Sequence, residues 1–457
     1  MANKRPFDYD LIVIGSGAAG SVAATIVAGS GGRVAIVEAD TFGGDSPNWS
    51  DIPTKALLHA AQLYDEARHG SRFGLRTSTL GYNYPSLRAW KELAVQRTGA
   101  GGNRKYYEGQ GISAFNSTAH FLSPNEISVN RRHLSAKHFL IATGSQWIIP
   151  NIQGIDKIEF LTPRTILESI RPPKSLFIIG GGGTGVEIAQ LMATFGTKVY
   201  IAEKSSRILP HLDSEVGELM EKYLSDHKGV TSLTQARVLS VVKDGISKRV
   251  TISRGGVEKS FKVDEILIAA GRAPSVDLGL SNATVKFTPK GIDVNDNLQT
   301  SAHHIYAAGD VLGKKSETHT ALLESRIVAH NILHKNKVSP DYTATPSILF
   351  TYPSIAHVGL SEDDCMKRDL HINKALAPLN MIARSNTSDF RDGFVKIVTD
   401  KKGVILGGTI VAPHAGEMIH ELALAVKHNL TAEDLAQTPH AFLSWSEALR
   451  VAASKLS

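Results

Sequence analysis

Short apolar runs that end at a cluster of glycines recur along this chain. The first, Tyr9–Ile14 (YDLIVI), is rich in β-branched residues without polar alternation, as expected of a strand buried on both faces of a parallel sheet. Glycines and small residues follow at Gly15–Gly20, and the next segment, SVAATIVA, favours a helix packed closely on that sheet. A second apolar run, Arg33–Val37, ends in Glu38. The pattern predicts a strand–turn–helix–strand unit.

The same order returns further along the chain. Ser175–Ile179 (SLFII) is again an apolar run, and its glycine cluster begins at Gly180, 165 residues after Gly15. A helical stretch follows, and then Lys198–Ala202, which ends in Glu203. Two such units predict two nucleotide-binding domains. Prolines at 150, 172 and 173 mark plausible linkers between domains.

The remaining sequence predicts a third domain and several connecting elements. After Asp341, runs such as FVKIVTD and VILGGTIV alternate with helical stretches, which indicates an α+β domain with an antiparallel sheet. Elsewhere we expect helices over 53–70 and 85–110, short strands over 115–129, and a strand over 139–141 that runs into Ala142-Thr143-Gly144.

The first glycine cluster has the spacing of a dinucleotide-binding turn. Gly15 permits the turn out of the strand, Gly17 lets a pyrophosphate approach the backbone, and Gly20 lets helix and strand pack closely. Phosphates would then lie against unpaired N–H groups at the positive end of the helix dipole. Glu38 follows 18 residues after Gly20, where its carboxylate is expected to accept hydrogen bonds from ribose hydroxyls.

The second cluster repeats this spacing, in Gly180, Gly182, Gly185 and Glu203. A carboxylate at Glu203 pairs with a free ribose 2′-hydroxyl and repels a 2′-phosphate, so NADH is favoured over NADPH. Lys204 and Arg207 follow it, and their charges leave NADPH open.

Composition and charge narrow the class of protein. Of 457 residues, 42% are hydrophobic and 21% charged, values typical of a folded globular chain. The net charge of +6 is small for this length, and basic pairs such as Arg131-Arg132, Lys314-Lys315 and Lys401-Lys402 read as solvated loops, so we expect no nucleic-acid partner. With neither a transmembrane run nor a signal-peptide core, the expected compartment is the cytoplasm.

The cysteine count restricts the redox chemistry. Cys365 is the single cysteine of this sequence, so no intrachain disulfide can form. It lies in SEDDCMKRDL, which reads as an amphipathic helix, and we expect a buried structural thiol there. The histidines, among them His303, His304 and His319, lack metal-ligand spacing, so we expect no metal.

Over essentially its whole length the chain resembles the FAD-containing pyridine nucleotide–disulfide oxidoreductases, the family of dihydrolipoamide dehydrogenase, glutathione reductase and mercuric reductase. IGSGAAG with Glu38 is similar to the family's FAD fingerprint, and GGGGTGVE to its NAD(P) fingerprint. ILIAAGRAPS resembles the return from the NAD(P) domain, and HIYAAGDV resembles the second FAD motif, in which Asp310 would bond the ribityl chain. LFTYPSIAHVGL and APHAGEMI resemble the interface domain.

This resemblance implies an α/β fold with two Rossmann-like, glutathione-reductase-type dinucleotide-binding domains and a C-terminal α+β interface domain. The FAD domain would comprise residues 1–150 and 271–340, the NAD(P) domain 151–270, and the dimerisation domain 341–457. FAD and NADH (or NADPH) would be the cofactors, and the assembly would be a two-fold homodimer. The implied cofactor-binding residues are Gly15, Ser16, Gly17, Gly20, Glu38, Ala39, Gly44, Asp45, Ser46, Lys55, Ala142, Thr143, Gly144, Gly180, Gly182, Gly185, Glu187, Glu203, Gly271, Arg272, Gly309, Asp310 and Ala321.

The chain departs from the family pattern where the redox-active disulfide is expected. The family loop reads Gly-Gly-x-Cys-x-Asn-x-Gly-Cys-Ile-Pro-Ser-Lys, whereas residues 43–55 here read GGDSPNWSDIPTK. Ser46 and Asp51 therefore occupy the two cysteine positions. Neither a hydroxyl nor a carboxylate can form a mixed disulfide or a thiolate that interacts with flavin. The resemblance therefore implies a member without the dithiol half of the mechanism.

A second departure lies near the C-terminus. Family members carry a histidine five residues before a glutamate, and that histidine is the acid–base partner of the thiol. Counting back from Glu447 reaches Phe442, and His440 takes the position only if two residues are inserted. The thiols and their proton partner are therefore absent together.

The resemblance implies that the flavin half persists. Lys55 and Glu187 match the family's catalytic pair near flavin N5 and the nicotinamide, so we expect hydride transfer from NAD(P)H to flavin. Three readings of the next step remain: a small-molecule acceptor such as a quinone, a soluble transhydrogenase, or a non-catalytic scaffold or redox sensor. Trp49, in the same loop, fits either core packing or a lid over the acceptor, and a Trp there also resembles the transhydrogenase.

Overall fold

The computed structural model describes residues 6–76, 79–99, 103–314 and 316–457, so Lys315 of the basic pair lies outside the described residues. The strands, in chain order, are β1 (Tyr9–Ile14), β2 (Val34–Glu38), β3 (Ser113–Asn116), β4 (Ala119–Ser123), β5 (Glu126–Val129), β6 (Arg132–Ile141), β7 (Ser145–Trp147), β8 (Ser175–Ile179), β9 (Lys198–Ala202), β10 (Thr231–Leu233), β11 (Ala236–Asp244), β12 (Ser247–Arg254), β13 (Val257–Val263), β14 (Glu265–Ile268), β15 (Arg272–Pro274), β16 (Phe287–Thr288), β17 (Gly291–Ile292), β18 (Ile305–Ala307), β19 (Ser347–Leu349), β20 (Ser354–Gly359), β21 (Ile372–Pro378), β22 (Phe394–Asp400) and β23 (Ile405–Ala412).

The α-helices are α1 (Ala18–Gly29), α2 (Asp45–Asn48), α3 (Asp51–Arg68), α4 (Tyr84–Thr98), α5 (Arg104–Gly109), α6 (Pro163–Ile166), α7 (Gly183–Thr194), α8 (Ser214–Lys228), α9 (Thr318–Leu333), α10 (Glu362–Lys367), α11 (Ala383–Thr387), α12 (Ala415–Lys427), α13 (Ala432–Gln437) and α14 (Glu447–Ala453). Short 3-10 helices cover Gly70–Phe73, Ile155–Lys157, Leu280–Ala283, Asp310–Leu312 and Leu379–Met381. The helix predicted over 85–110 is two helices, α4 and α5, and residues 100–102 lie outside the described residues.

The chain divides into two compact units. The first comprises Met1–Ala56, Ser86–Ile148 and Gly271–Asp341, and the second comprises Leu57–Pro85, Ile149–Ala270 and Tyr342–Ser457. The domain boundaries drawn from the sequence remain a prediction.

The first unit contains a seven-stranded sheet in the order β3-β2-β1-β6-β5-β4, with β18 paired to β6. β1 is parallel to both β2 and β6, and β18 is parallel to β6. The central strands are apolar because both their faces are covered: every residue of β2 is buried, as are the last four of β1. Helix α1 follows β1, so the strand–turn–helix–strand prediction is confirmed.

Small residues let α1 lie close to α9 in this unit. Ala19 and Ala23 of α1 are buried, and the Ser325 hydroxyl of α9 donates to the Ala19 carbonyl at 2.5 Å. The Ser325 hydroxyl oxygen also accepts a hydrogen bond from the Ala23 N–H at 2.8 Å. A longer side chain at either alanine would separate the helices, which is the physical reason for the SVAATIVA pattern.

The second unit contains a parallel sheet and two antiparallel sheets. The parallel sheet has the order β10-β9-β8-β14, with α7 following β8. The strands β11, β12 and β13 form a three-stranded antiparallel sheet. The strands after Tyr342 form a five-stranded antiparallel sheet in the order β19-β20-β23-β22-β21, covered by α12 and α14. The predicted α+β segment after Asp341 is therefore confirmed, and each unit contains both helices and sheets, as the predicted α/β class requires.

Candidate functional site

In the first unit, the turn between β1 and α1 is shaped by close backbone approach. Gly15 has φ +101°, and a Cβ built on it would lie 2.2 Å from the Ala142 carbonyl oxygen. A Cβ on Gly20 would lie 1.9 Å from the Gly15 carbonyl oxygen. Both positions therefore require glycine for the turn itself. Gly17 differs, because its Cβ would meet nothing closer than the Gly44 Cα at 3.8 Å.

This space beside Gly17 fits a pyrophosphate. Gly17 is the N-cap of α1, so unpaired N–H groups and the positive end of the helix dipole lie at this turn. The Gly43 N–H donates to the Ser16 hydroxyl at 2.9 Å, which ties the loop before α2 to the turn. The first unit therefore offers a cradle that a dinucleotide can approach with its backbone donors.

Glu38 lies at the end of β2 with a buried carboxylate that the backbone holds in place. Its Oε2 accepts the N–H and the hydroxyl of Ser16, at 2.9 and 2.7 Å, and its Oε1 accepts the Asp40 N–H at 2.9 Å. Each carboxylate oxygen has further lone pairs, so hydrogen bonds from ribose hydroxyls remain available. Ala39, which the prediction included, is exposed next to it.

Tyr107 of α5 supports the same turn, a residue that motif reading missed. Its hydroxyl lies 3.2 Å from the Ser16 carbonyl oxygen and donates to it. Burial raises the pKa of Tyr107 to about 12, so the donor is protonated at neutral pH. No short sequence motif surrounds Tyr107. Its buried aromatic ring is the one feature that could have indicated a structural role for this residue.

Asp310 and Arg272 belong to one polar network beside this cradle. The Ser145 hydroxyl donates to Asp310 Oδ2 at 2.6 Å, and Arg272 Nε donates to the Ser145 hydroxyl at 2.7 Å. The Arg272 guanidinium also pairs with Asp45 and covers the Trp147 ring, 4.3 Å from its centroid. These contacts place Arg272 and Asp45, both predicted as cofactor-binding, in an ion pair with each other.

The other predicted residues of the first unit lie around the same strand ends. The Thr143 hydroxyl donates to the Ser275 carbonyl at 2.7 Å, and the Gly144 carbonyl accepts the Ser275 N–H at 3.0 Å. The Gly271 carbonyl accepts the Ile148 N–H at 3.0 Å. A Cβ on Gly309 would lie 3.0 Å from the Cβ of Ala19 and 3.5 Å from that of Ala321, so Gly309 lies next to both α1 and α9.

Thr320, in the first turn of α9, carries a hydroxyl that the cofactor could satisfy. The residue is 1% exposed, and its Oγ1 has no hydrogen-bond partner among the described residues. A buried hydroxyl without a partner is uncommon, since losing its hydrogen bonds to water costs free energy. With the open cradle at Gly17, this orphan group fits a first unit built around a bound ligand such as FAD.

Ser46 and Asp51, which the sequence resemblance matches to the family's cysteines, belong to a hydrogen-bond cluster in the first unit. We define the Asp51 cluster as Ser46, Asp51, Lys55 and Thr318. Oδ2 of Asp51 accepts the hydroxyls of Ser46 and Thr318, both at 2.7 Å. Oδ1 of Asp51 lies 3.6 Å from the Lys55 ammonium nitrogen, one helical turn along α3. Motif reading missed Thr318, which is 267 residues from Asp51.

The turn between β8 and α7, in the second unit, repeats the geometry of the first. Gly180 has φ +116°, and its Cβ would lie 2.3 Å from the Ala269 carbonyl oxygen. A Cβ on Gly185 would lie 2.1 Å from the Gly180 carbonyl oxygen. Gly182 is the N-cap of α7, and a Cβ there would meet nothing within 4 Å. The second unit therefore has the same open cradle, with room for a second dinucleotide.

Glu203 directly follows β9 next to this cradle, whereas Glu38 is the last residue of β2 in the first unit. Its Oε2 accepts the Gly181 N–H and its Oε1 the Ser205 N–H, both at 2.8 Å. Arg207, which could have served a phosphate, is engaged elsewhere: it donates to the Leu212 carbonyl at 3.1 Å and lies 3.8 Å from Asp363. The buried Glu203 carboxylate is therefore a charged group that the backbone holds in place beside the turn between β8 and α7.

Glu187, on α7 of the second unit, is 5% exposed. Its Oε1 accepts the Phe350 N–H at 2.7 Å. Gln190, one turn further on, bonds both the N–H and the carbonyl of Tyr352, at 2.8 and 2.5 Å. α7 is thereby anchored to the strand-connecting segment after β19, which fixes the Glu187 carboxylate.

Near the C-terminus, the structure distinguishes His440 from Phe442. The His440 ring is held between the Glu421 carboxylate, 2.6 Å from Nε2, and the Thr438 carbonyl, 2.8 Å from Nδ1. Phe442 is 75% exposed, and Leu443 beside it has φ +66°. Glu447 has an Oε2 without a hydrogen-bond partner in the described part of the chain. His440 is therefore engaged in local hydrogen bonds, and Phe442 is presented to solvent.

The remaining sequence predictions concern Cys365, metals and membranes. Cys365 is fully buried in α10 as predicted, and burial raises the pKa of its thiol. Among the described residues no group of three or more His, Cys, Asp or Glu side chains could hold a metal ion. No helix in those ranges is long and apolar enough to cross a membrane. Trp49 is half-buried at the end of α2.

Comparison with known proteins agrees with this architecture. The model of the family described as pyridine nucleotide-disulphide oxidoreductase matches residues 9–325, and the dimerisation domain of that family matches residues 345–453. Mercuric reductase of Lysinibacillus sphaericus is 34% identical over 452 residues, 98% of this chain and 82% of that protein. Dihydrolipoyl dehydrogenase of Thermus scotoductus is 34% identical over 453 residues, 98% of this chain and 97% of that protein.

Solved structures give the same result. The HOCl-induced flavoprotein disulfide reductase RclA of Escherichia coli, in its Cu(II) complex, superposes with a TM-score of 0.87 at 27% identity over 98% of this chain and 99% of that chain. LpdA of Mycobacterium tuberculosis superposes with a TM-score of 0.87 at 26% identity and the same coverage of both chains. The chain is an FAD-dependent pyridine nucleotide oxidoreductase by descent, and it belongs to the pyridine nucleotide–disulphide oxidoreductase family.

Proposed function

We propose that this protein is an NAD(P)H oxidoreductase that passes a hydride from the nicotinamide, by way of bound FAD, directly to a non-disulfide acceptor such as a quinone. The observation that carries the proposal is the bond between Ser46 and Asp51, which occupy the family's two cysteine positions. The single cysteine of the sequence, Cys365, is fully buried in α10, so no dithiol is available to store electrons.

The proposed reaction is balanced without a thiol. NADH, a proton and a quinone give NAD⁺ and a hydroquinone, with two electrons moved as hydride. Bound FAD would supply the two-electron carrier between the two substrates. The cradle at Gly17 with Glu38 would hold FAD, and the cradle at Gly182 with Glu203 would hold the nicotinamide dinucleotide.

Lys55 and Glu187 are the proposed catalytic pair. The proposal rests on their match to the family motifs, and two local contacts support it. The Lys55 ammonium is held 3.6 Å from the Asp51 carboxylate, and the Glu187 carboxylate is held by the Phe350 N–H. A fixed positive charge at Lys55 favours the anionic form of reduced flavin.

NADH is the proposed physiological donor. Glu203 presents a fixed carboxylate where a ribose 2′-hydroxyl would bind, and a 2′-phosphate would be repelled there. The contacts of Arg207 with the Leu212 carbonyl and with Asp363 support this preference, because they compete with a phosphate for its guanidinium.

We also propose a homodimer in the cytoplasm. Residues 345–453 match a dimerisation domain, and Phe442, 75% exposed in the single chain, lies within the matched residues. In such a dimer Phe442 would take the place of the family's histidine and give the acceptor an aromatic neighbour.

Soluble transhydrogenase is the second candidate, and Trp49 with Phe442 favours it. In that reaction an oxidised nicotinamide would replace the quinone as acceptor at the same nicotinamide site. A non-catalytic scaffold or sensor is disfavoured, because both cradles retain the open glycine and the fixed carboxylate.

One experiment separates the three. The purified holoprotein is mixed anaerobically with NADH or NADPH while the flavin absorbance is followed, and then a quinone or thio-NAD⁺ is added. Bleaching followed by recovery with quinone supports the proposed function, and recovery with thio-NAD⁺ alone supports the transhydrogenase. Flavin that neither nucleotide bleaches would contradict both enzymes.

A further inference from the structure

Ser145 lies between two charged residues of the first unit. Its hydroxyl accepts a hydrogen bond from Arg272 Nε at 2.7 Å and donates one to Asp310 Oδ2 at 2.6 Å. Because an arginine side chain only donates, and because a serine hydroxyl has one hydrogen, the direction of both bonds is determined. The chain of hydrogen bonds therefore runs from the guanidinium through the hydroxyl to the carboxylate.

The Arg272 guanidinium is held in place on several sides. Its Nη2 donates to the Ser145 carbonyl at 2.6 Å and also pairs with Asp45. Arg272 and Trp147 lie opposite each other in the antiparallel pair of β15 and β7, and the guanidinium carbon is 4.3 Å from the Trp147 ring centroid. Two donors on one serine, an ion pair and an aromatic face together restrict this guanidinium to one orientation.

The Asp310 carboxylate is bonded through one oxygen and open at the other. Asp310 begins the 3-10 helix Asp310–Leu312 directly after Gly309, whose N–H is bonded to the buried Glu324 carboxylate at 2.6 Å. Oδ2 of Asp310 receives the Ser145 hydroxyl, and within the described residues its Oδ1 accepts no hydrogen bond. Each oxygen of an ionised carboxylate is an acceptor, so Oδ1 is available to a hydroxyl from outside the protein.

We infer that Ser145 is a positioning residue for FAD: it fixes Asp310 so that Oδ1 receives a hydroxyl of the ribityl chain, and it relays the charge of Arg272 to that carboxylate. The inference rests on the FAD site of the proposed function, in which Asp310 is expected to bind the ribityl chain. Arg272 then acts on the cofactor through Ser145. A carboxylate that is already held in one orientation binds a donor more tightly than one that must be ordered on binding.

The test measures how much one ribityl hydroxyl contributes to FAD binding, with and without the Ser145 hydroxyl. The flavin is removed from the holoprotein, and the apoprotein is titrated with FAD and with three FAD analogues that lack the 2′-, 3′- or 4′-hydroxyl of the ribityl chain. Flavin fluorescence gives the ratio of the dissociation constant of each analogue to that of FAD. In the wild type we expect one analogue to bind roughly tenfold or more weakly, since it leaves the ionised Asp310 without a donor.

In Ser145→Ala the Asp310 carboxylate loses its fixed hydrogen bond, so we expect the ratio for that analogue to fall to about threefold or less. Ser145→Thr restores a hydroxyl at this position and is expected to retain the wild-type ratio. Ser128→Ala is the matched control and should leave the ratio unchanged, because it removes a hydroxyl from β5 of the same unit, 3.4 Å from the His120 carbonyl. Loss of local structure alone would weaken the binding of FAD and of the analogue equally.

The relay from Arg272 is tested in a double-mutant cycle. Arg272→Gln removes the charge and should lower the same ratio when Ser145 is present. In the Ser145→Ala background it should lower the ratio no further, because the hydroxyl that connects Arg272 to Asp310 is absent. Additive effects of the two substitutions on the ratio would contradict a path through Ser145.

The outcomes are distinct. A ratio in Ser145→Ala equal to that of the wild type overturns the inference and leaves the FAD site and the proposed function intact. A wild type that binds FAD and all three analogues equally contradicts the assignment of Asp310 to the ribityl chain, and the inference with it. Failure of the apoprotein to bind FAD overturns the proposed function.

Discussion

Ser46 donates its hydroxyl hydrogen to the Asp51 carboxylate across 2.7 Å. The two residues are five positions apart, in the loop that the sequence resemblance matches to the family's redox-active disulfide. A hydrogen bond between a hydroxyl and a carboxylate cannot accept or store an electron pair. On the proposed function, the chain keeps the family framework while Ser46 and Asp51 take the place of its redox-active disulfide.

The open glycine of the second cradle gives a prediction for nicotinamide binding. We expect Gly182→Ala to fold and retain FAD, because its Cβ has free space, and to raise KM for NADH at least tenfold by blocking the pyrophosphate. Gly185→Ala is the matched control. Its new Cβ would collide with the Gly180 carbonyl oxygen, so we expect this variant to have a lower thermal midpoint. Normal KM in Gly182→Ala would contradict the assignment.

The fixed carboxylate of Glu203 predicts the nucleotide preference. In Glu203→Gln the repulsion of a 2′-phosphate is lost, so the ratio of kcat/KM for NADH to that for NADPH should fall about tenfold. Glu38→Gln changes the equivalent residue of the first cradle and should weaken FAD retention without altering this ratio. Equal effects of the two variants on the nucleotide ratio would argue against separate sites.

Lys396 predicts a stability effect outside the site. This lysine of β22 is 2% exposed, and its ammonium contacts Glu215 at 2.9 Å and Glu362 at 2.8 Å, with Asp213 at 3.6 Å. Lys396→Met leaves Glu215 and Asp213 without this cation and Glu362 with only the exposed Lys374, so we expect the free energy of unfolding to fall by about 3 kcal/mol. Lys374→Met removes an exposed partner of Glu362 and should cost under about 1 kcal/mol. Thermal unfolding of both variants decides the point.

His138 predicts a pH dependence of stability. Burial, with the nearby Lys137 charge, lowers the pKa of His138 to about 4, against roughly 6.5 in an unfolded chain. As pH falls below about 6.5, His138 binds a proton in the unfolded chain but stays neutral in the folded chain. The free energy of unfolding therefore decreases between about pH 6.5 and pH 4.

The variant His138→Gln should lose less stability than wild type between pH 7 and pH 5, because the titrating ring is absent. His133→Gln, on the same strand but with a side chain 64% exposed, serves as the control and should follow the wild-type pH profile. Thermal midpoints measured across this pH range give the answer. Parallel profiles for wild type and His138→Gln would contradict the assignment.

The sequence predicted the two dinucleotide-binding turns because each turn is determined by residues that are close together in the chain. The turn at Gly15 and its copy at Gly180 follow from strand, glycine spacing and helix within about thirty residues. The buried run Val34–Glu38 differs from the predicted strand by one residue, and Glu38 proves to be part of it. Such shifts at element ends are expected when hydrogen bonding sets the boundary.

The contacts that define the site depend on distant parts of the chain, and the sequence could not predict them. Thr318 reaches Asp51 across 267 residues, and Ser145 reaches Asp310 across 165. Arg272 read as a cofactor ligand from its motif, but folding engages it with Ser145 and Asp45. Side-chain partners of this kind are determined by tertiary packing, and the periodicity of apolar residues in the sequence does not predict them.

Anaerobic titration of the holoprotein with NADH tests the central claim most directly. A flavin without a disulfide takes up two electrons, so one equivalent of NADH per FAD should bleach it fully, and one equivalent of quinone should restore it. Alkylation of the unfolded protein's single thiol should be equal in the oxidised and the reduced enzyme. Uptake of two equivalents of NADH per FAD, as a flavin coupled to a disulfide requires, would contradict the account.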